Sequence, residues 1–109
     1  MSRSARAAIA DPANEVWVSA VSAFEVTTKF RLGKLPEAEA LARDFSGECE
    51  TEGFKALYVS VAHGEQAGAF AHTHRDPFDR LLIAQALTDG LTLISNERLF
   101  DGFGVRRLW

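Results

Sequence analysis

Three carboxylates occupy positions where the side chains of an α/β protein often meet. Glu25 follows the apolar run VWVSAV, Glu97 follows LTLIS, and Asp79 lies in the first turn of the helix predicted from DPFDRLLIAQALTDG. In open parallel sheets the functional crevice lies beyond the carboxyl ends of the strands, so acids from separate elements can converge there. Carboxylate oxygens are ligands for hard divalent cations, and the chemistry that this pattern suggests is metal binding.

Asp79 is the most informative of the three acids. A helix places it on the same face as Leu82 and Ile83. A carboxylate on an apolar face is costly unless it has a partner, and a divalent cation is one good partner. The alternative is a charge favoured near a helix N-terminus and paired with Arg75 or Arg80. Spacing alone leaves these two interpretations about equally supported.

Glu25 and Glu97 also have structural interpretations. The pattern S-x-x-E from Ser22 to Glu25 is that of a capping box, in which Ser22 caps a helix and Glu25 reaches back to its backbone N–H. Taken in isolation, the cap is the favoured interpretation. Glu97 fits the first turn of a short helix behind an Asn96 or Ser95 cap.

The histidines and tryptophans are weaker candidates. His72 and His74 form an H-x-H pair that, together with His63, suggests zinc. Zinc sites usually combine strong ligands at tighter spacings, so we interpret these histidines as solvated or hydrogen-bonded. Trp17 and Trp109 lie in strand patterns, which indicates packing in the core or at a sheet edge.

Composition and charge describe one ordinary globular domain spanning residues 1–109, with a formal net charge of -3. That charge argues against nucleic-acid binding by bulk electrostatics alone. The acidity is concentrated in residues 37–65, where seven acids face two bases. A local basic surface remains available elsewhere, from Arg3, Arg6, Lys29, Arg31, Lys34, Arg75 and Arg80.

The single cysteine, Cys49, excludes an internal disulfide and a cysteine zinc cluster. No apolar run reaches the roughly 20 residues that span a bilayer, and the first residues lack the apolar core of a secretory signal. We therefore expect a cytoplasmic protein.

Strand patterns alternate with helix patterns, which predicts an α/β fold with a largely parallel sheet. Predicted strands cover residues 16–21, 55–61, 91–95 and 105–109, and predicted helices cover 2–10, 22–32, 36–52, 62–71, 76–89 and part of 96–104.

Two segments together resemble the PIN-domain toxins of the VapC type. They are VWVSAVSAFEVTTKFRLGKL and HTHRDPFDRLLIAQALTDGLTLISNERLF. The resemblance implies a PIN-like three-layer fold, a mostly parallel sheet flanked by helices. It also implies a metal-dependent endoribonuclease toxin that hydrolyses RNA, uses Mg²⁺ or Mn²⁺, forms a homodimer and is neutralised by a cognate antitoxin.

The site residues follow from the same resemblance. The family's catalytic and metal-binding acids fall on Glu25, Asp79 and Glu97, and Ser95 matches a Ser/Thr found two residues before the last acid. Beside these acids Glu25 becomes an active-site residue, and Ser22 caps the helix without it. The side chains expected to contact RNA phosphates are Lys29, Arg31, Lys34 and Arg80.

One departure from the family pattern stands out. Family members open with an apolar strand that ends in Asp, and this chain starts at a segment that resembles the second helix. We expect that the true start lies upstream, the alternative being a shortened, catalytically inactive copy that acts only as a binding partner. Without the first, central strand, an exposed sheet edge predicts self-association.

Overall fold

A computed structural model describes all residues 1–109. Six α-helices, four short strands and two 3₁₀ helices alternate along the chain. In chain order the elements are α1 (Arg3–Ala10), β1 (Trp17–Ser19), α2 (Ala20–Arg31), a 3₁₀ helix (Pro36–Ala38), α3 (Glu39–Arg43), α4 (Phe45–Thr51), β2 (Lys55–Leu57), α5 (Val61–Ala69), α6 (Pro77–Asp89), β3 (Leu93–Ile94), a second 3₁₀ helix (Arg98–Phe103) and β4 (Arg107–Leu108).

The chain divides into two compact units, one formed by residues 15–58 and the other by residues 1–14 with 59–109. Each unit contains one pair of strands, and both pairs are parallel. The predicted alternation of helices with parallel strands is therefore confirmed. Each strand has one hydrogen-bonded neighbour. The single-domain interpretation and the self-association stay predictions.

In the unit of residues 15–58, β1 passes directly into α2. Ser19 is both the last strand residue and the N-cap of the helix, and its Oγ accepts a hydrogen bond from Val21 N at 3.0 Å. The prediction that the helix begins with Ser22 as its cap is wrong, because Ser19 already satisfies an early N–H of the helix. Ser22 lies inside α2, so Glu25 is not the acid of a capping box.

The helix predicted over residues 36–52 is broken at Asp44. Its backbone is not helical (φ -150°, ψ 74°), and its carboxylate accepts a hydrogen bond from Gly47 N at 3.0 Å, which starts α4. A Cβ at residue 47 would lie 2.1 Å from that carboxylate, so glycine is required for this close approach. A strong local cap therefore overrides the helical periodicity.

In the other unit, the two helices with the clearest end signals form as predicted. α1 ends at Ala10, before Asp11 and Pro12. α6 begins with the Asp76 cap and Pro77, and it ends at Gly90, whose φ is 66°. Left-handed backbone favours glycine, which explains why the helix stops there.

The core of this unit forms where α6 packs against the second 3₁₀ helix and the chain that leads into β4. Phe70, Leu87, Leu91, Leu93 and Phe103 surround it in partly buried positions. Trp17 and Trp109 lie outside the buried core, with 38% and 41% exposure, so only the sheet-edge interpretation fits them. The buried members are Ile83, Ala86, Phe100 and Val105.

Arg107 fastens β4 to the segment that contains Glu97. Its guanidinium donates to both carboxylate oxygens of Asp101, at 2.8 and 3.0 Å, and to Ser95 O at 3.0 Å. The hydrogen bond from Arg107 holds the pKa of Asp101 below its ordinary value. None of the helices has the length and apolar character needed to cross a bilayer.

Replacing Ile83 with alanine is expected to lower the free energy of unfolding by about 2–5 kcal/mol, because the side chain is fully buried and leaves a cavity. Urea denaturation measures the loss. Leu99→Ala is the control, since Leu99 is 60% exposed and its truncation should cost no more than about 0.5 kcal/mol. Equal losses for the two variants would contradict the assignment of Ile83 to the core.

The Asp101–Arg107 pair should make stability depend on acid. The pKa of Asp101 is lower in the folded protein than its ordinary value of 3.8. The ion pair therefore stabilises the fold fully above pH 3.8, and this stabilisation is lost as the pH falls through the lower pKa of the folded state. Asp101→Asn should therefore have a lower melting temperature than the wild type at neutral pH, and the difference between the two should disappear in acid. Glu37→Gln, at an exposed position, should show no such difference. A difference that stays constant into acid would contradict the pairing.

Candidate active site

Asp79 is held in position by the cap of its own helix. The Oδ1 atom of Asp76 accepts hydrogen bonds from Phe78 N at 2.9 Å and from Asp79 N at 3.3 Å. The cap fixes the backbone of the first turn, and the Asp79 side chain extends from it with 24% exposure. Asp79 is thus a partly buried carboxylate on a rigid helix.

His74 is the partner of Asp79, at a distance of 2.9 Å between His74 Nε2 and Asp79 Oδ2. The expected partners, Arg75 or Arg80, do not form this contact. The imidazole donates its Nε2–H to one carboxylate oxygen, while Oδ1 of the same carboxylate accepts no hydrogen bond. One oxygen therefore orients the group, and the other keeps its lone pairs for a ligand.

Arg80 forms hydrogen bonds with the backbone of the segment that contains His72 and His74. Its guanidinium donates to four main-chain carbonyls at distances of 2.6 to 2.8 Å, and it lies over the ring of Phe70 at 5.6 Å. Since a guanidinium has five N–H donors, at most one remains for another ligand. The predicted contact of Arg80 with a phosphate stays a prediction, for which at most this one N–H is available. The four carbonyls belong to Ala67, Phe70, His72 and His74.

The H-x-H pair does not act as two equivalent ligands. His72 Nδ1 accepts a hydrogen bond from His74 N at 3.1 Å, and the His72 ring stacks on Phe103 with centroids 4.1 Å apart. His74 Nε2 is engaged with Asp79. The two imidazoles thus make different contacts, one with an aromatic ring and one with a carboxylate.

Glu97 is itself the N-cap of the second 3₁₀ helix. Its Oε1 accepts a hydrogen bond from Leu99 N at 3.1 Å, and its own N–H donates to Ser95 Oγ at 3.0 Å. The prediction of a first-turn acid behind an Asn96 or Ser95 cap is therefore wrong. Ser95 shapes the turn that carries Glu97, and its supporting role stays a prediction.

Asp79 and Glu97 are connected through Phe100. The His74 ring meets the Phe100 ring edge-on, with centroids 6.5 Å apart. Phe100 N donates to Glu97 O at 3.3 Å. The partner of the first acid therefore packs on the helical turn that the second acid caps.

Glu25 lies in the second turn of α2, in the unit of residues 15–58. Its Oε2 is 3.8 Å from Lys29 Nζ, and its side chain is 35% exposed. Beyond Lys29, the helix ends in a turn in which Lys34 N donates to Lys29 O at 2.9 Å. The other three bases predicted to contact phosphate lie around this helix end and are all exposed. They are Lys29, Arg31 and Lys34.

A cavity of about 400 Å³ opens at the carboxyl ends of β1 and β2 within the same unit. Such a crevice is expected at this edge of parallel strands. None of the predicted site residues lines it. Burial raises the pKa of the Cys49 thiol in its wall, which keeps that sulfur protonated and unreactive at neutral pH.

A divalent cation fits the chemistry of these donors. The free Oδ1 of Asp79 is a hard oxygen ligand, and Glu97 carries a second carboxylate at the cap of the second 3₁₀ helix. Neither unit brings together three or more His, Cys, Asp or Glu side chains in a ready-made metal cluster. Mg²⁺ needs no such cluster, because it usually keeps several waters and binds one or two carboxylates together with substrate phosphates.

The contacts of His74 and His72 were not predicted from the sequence. His74 lies five residues before Asp79 across the Asp76–Pro77 helix start, and this proximity in sequence was the available signal. His72 stacks on Phe103, which is 31 residues further along the chain, and no local sequence pattern predicts this contact.

Comparison with known proteins identifies one family. A family model described as the PIN domain matches residues 1–104. No curated protein and no solved structure gives a significant match. Because the match covers nearly all of the sequence, the chain belongs to the PIN-domain family.

Proposed function

We propose that this protein is a metal-dependent endoribonuclease of the VapC toxin type, which hydrolyses phosphodiester bonds in RNA and is neutralised by a cognate antitoxin. PIN domains are generally nucleases and often belong to toxin–antitoxin systems. The family typically uses Mg²⁺ or Mn²⁺. These family properties give the class of reaction, and the contacts of Asp79 support the assignment to this chain.

The observation that carries the proposal is the pair of His74 and Asp79. A histidine that donates to one oxygen of a carboxylate fixes its orientation and leaves the other oxygen for a cation.

Asp79 would hold the cation, with Glu97 as a further ligand directly or through water. The resemblance to the family predicts a metal-binding role for Glu25 as well. The cation, when bound, polarises the scissile phosphate and lowers the pKa of water so that hydroxide forms near neutral pH. His74 keeps the Asp79 carboxylate in one orientation, and Ser95 fixes the turn of Glu97. Lys29, Arg31 and Lys34 bind backbone phosphates, which positions the strand without reading its sequence.

A protein partner is supported by the exposed apolar side chains of residues 15–58. Phe24, Leu32 and Tyr58 are 56%, 53% and 77% exposed. Exposed apolar side chains can be buried against another protein, which suits the proposed antitoxin or a second copy in a homodimer. The same surface would serve the alternative function, a catalytically inactive PIN copy that only binds a partner.

We expect the wild-type chain to cleave RNA with Mg²⁺ or Mn²⁺ and to lose this activity in EDTA. Asp79→Asn should reduce cleavage by at least about 100-fold, because it removes a charged metal ligand and not merely its support. The assay measures the initial rate of cleavage of a labelled single-stranded RNA.

Asp89→Asn is the matched control. Asp89 lies on the same helix and also contacts a histidine, with 3.1 Å between its Oδ2 and His63 Nε2. Its substitution should leave the cleavage rate within about twofold of wild type, since surface changes away from a site have small effects. Full activity of Asp79→Asn would refute the catalytic assignment, and no metal-dependent cleavage by the wild type would favour the binding alternative.

A further inference from the structure

His72 presents an aromatic ring at the surface beside Asp79. Its imidazole lies nearly parallel to the Phe103 ring, with an interplanar angle of 25° and centroids 4.1 Å apart. Phe103 is itself braced by Phe70, whose ring meets it edge-on at 5.2 Å. The Phe103 ring is partly buried, whereas His72 is exposed.

The orientation of the His72 ring is fixed from two sides. Nδ1 accepts a hydrogen bond from His74 N at 3.1 Å, which places the ring hydrogen on Nε2. Nε2 lies against Gly102, where an added Cβ would approach it to 3.1 Å. Any larger residue at position 102 would push the imidazole, so glycine permits the stack.

Arg75 adds an uncommitted positive charge to this surface. It is exposed, and its guanidinium makes no hydrogen bond or ion pair, unlike that of Arg80. It lies three residues after His72 and one after His74 in the same segment. An aromatic face and a positive charge in the same segment are the two features with which proteins bind single-stranded nucleic acid.

We propose that His72 is a stacking platform for a nucleobase of single-stranded RNA and that Arg75 binds the adjoining phosphate. This rests on the proposed function for the identity of the ligand. The stacked base would hold the strand next to Asp79, because His74 follows His72 by two residues and contacts Asp79 directly. Stacking tolerates any base, so the subsite would position RNA without selecting its sequence.

Binding measured in EDTA separates this subsite from catalysis, because no metal-dependent cleavage can occur. The probes are a short fluorescent oligoadenylate and a strand of equal length and charge that lacks its bases. Wild type should bind the oligoadenylate more tightly than the abasic strand. His72→Ala should weaken binding of the oligoadenylate by roughly 5- to 150-fold, which is the usual range for loss of one base stack. Its affinity for the abasic strand should stay unchanged.

Three further variants test whether the loss of binding comes from loss of the aromatic face of His72. His72→Phe keeps an aromatic face and should retain the preference for bases, whereas Gly102→Val should reduce it by displacing the imidazole. Arg75→Ala should weaken both probes equally, as expected for a phosphate contact. Thermal unfolding of each variant shows that it remains folded.

The subsite is overturned if His72→Ala and Gly102→Val both prefer the oligoadenylate as strongly as wild type does. Failure of the proposed nuclease function would appear differently, as absence of metal-dependent cleavage with base-dependent binding intact.

Discussion

The guanidinium of Arg80 organises the candidate site, because it gathers the irregular backbone between α5 and α6. Four carbonyl groups from residues 67–74 point at one planar cation. Hydrogen bonds to a charged group contribute roughly 1.5–3 kcal/mol each, more than neutral ones. Without the guanidinium these carbonyls would lose their shared hydrogen-bond donor. The backbone conformation of the segment that contains His72 and His74 would then be less well defined. The contacts of both histidines therefore depend on an arginine that touches neither of the candidate acids.

Two consequences follow for function. His74 is brought to Asp79, which leaves a carboxylate with one oriented and one open oxygen. His72 is laid on Phe103. Glu97 caps the 3₁₀ helix that supplies Phe100 and Phe103. Arg107 holds this helix through Asp101 and the turn before it through Ser95 O. Residues 67–107 thus combine the candidate carboxylate of Asp79 with an aromatic ring pair.

The sequence was sufficient for elements with strong end signals and insufficient where a side chain changed the backbone locally. The start of α6 followed from Asp76 and Pro77, and its end from Gly90. Ser19 started α2 three residues before the expected cap, because it could serve strand and helix at once. Asp44 divided a helix that periodicity had left continuous. Asp79 was chosen from its place on an apolar face, and the arginine partner that the alternative interpretation offered is replaced by His74. Counting nearby charges cannot reveal that carbonyls accept four of the five N–H groups of Arg80.

The central claim is that the Asp79 carboxylate, oriented by His74, binds a divalent cation next to Glu97. Titration with Mn²⁺ followed by NMR tests it directly, because the paramagnetic ion broadens the amide signals nearest to it. The account predicts selective broadening of the amides of residues 78–80 and 97–99 at low Mn²⁺, and loss of this broadening in Asp79→Asn. Broadening confined to the acidic residues 48–52, or unchanged by Asp79→Asn, would contradict it.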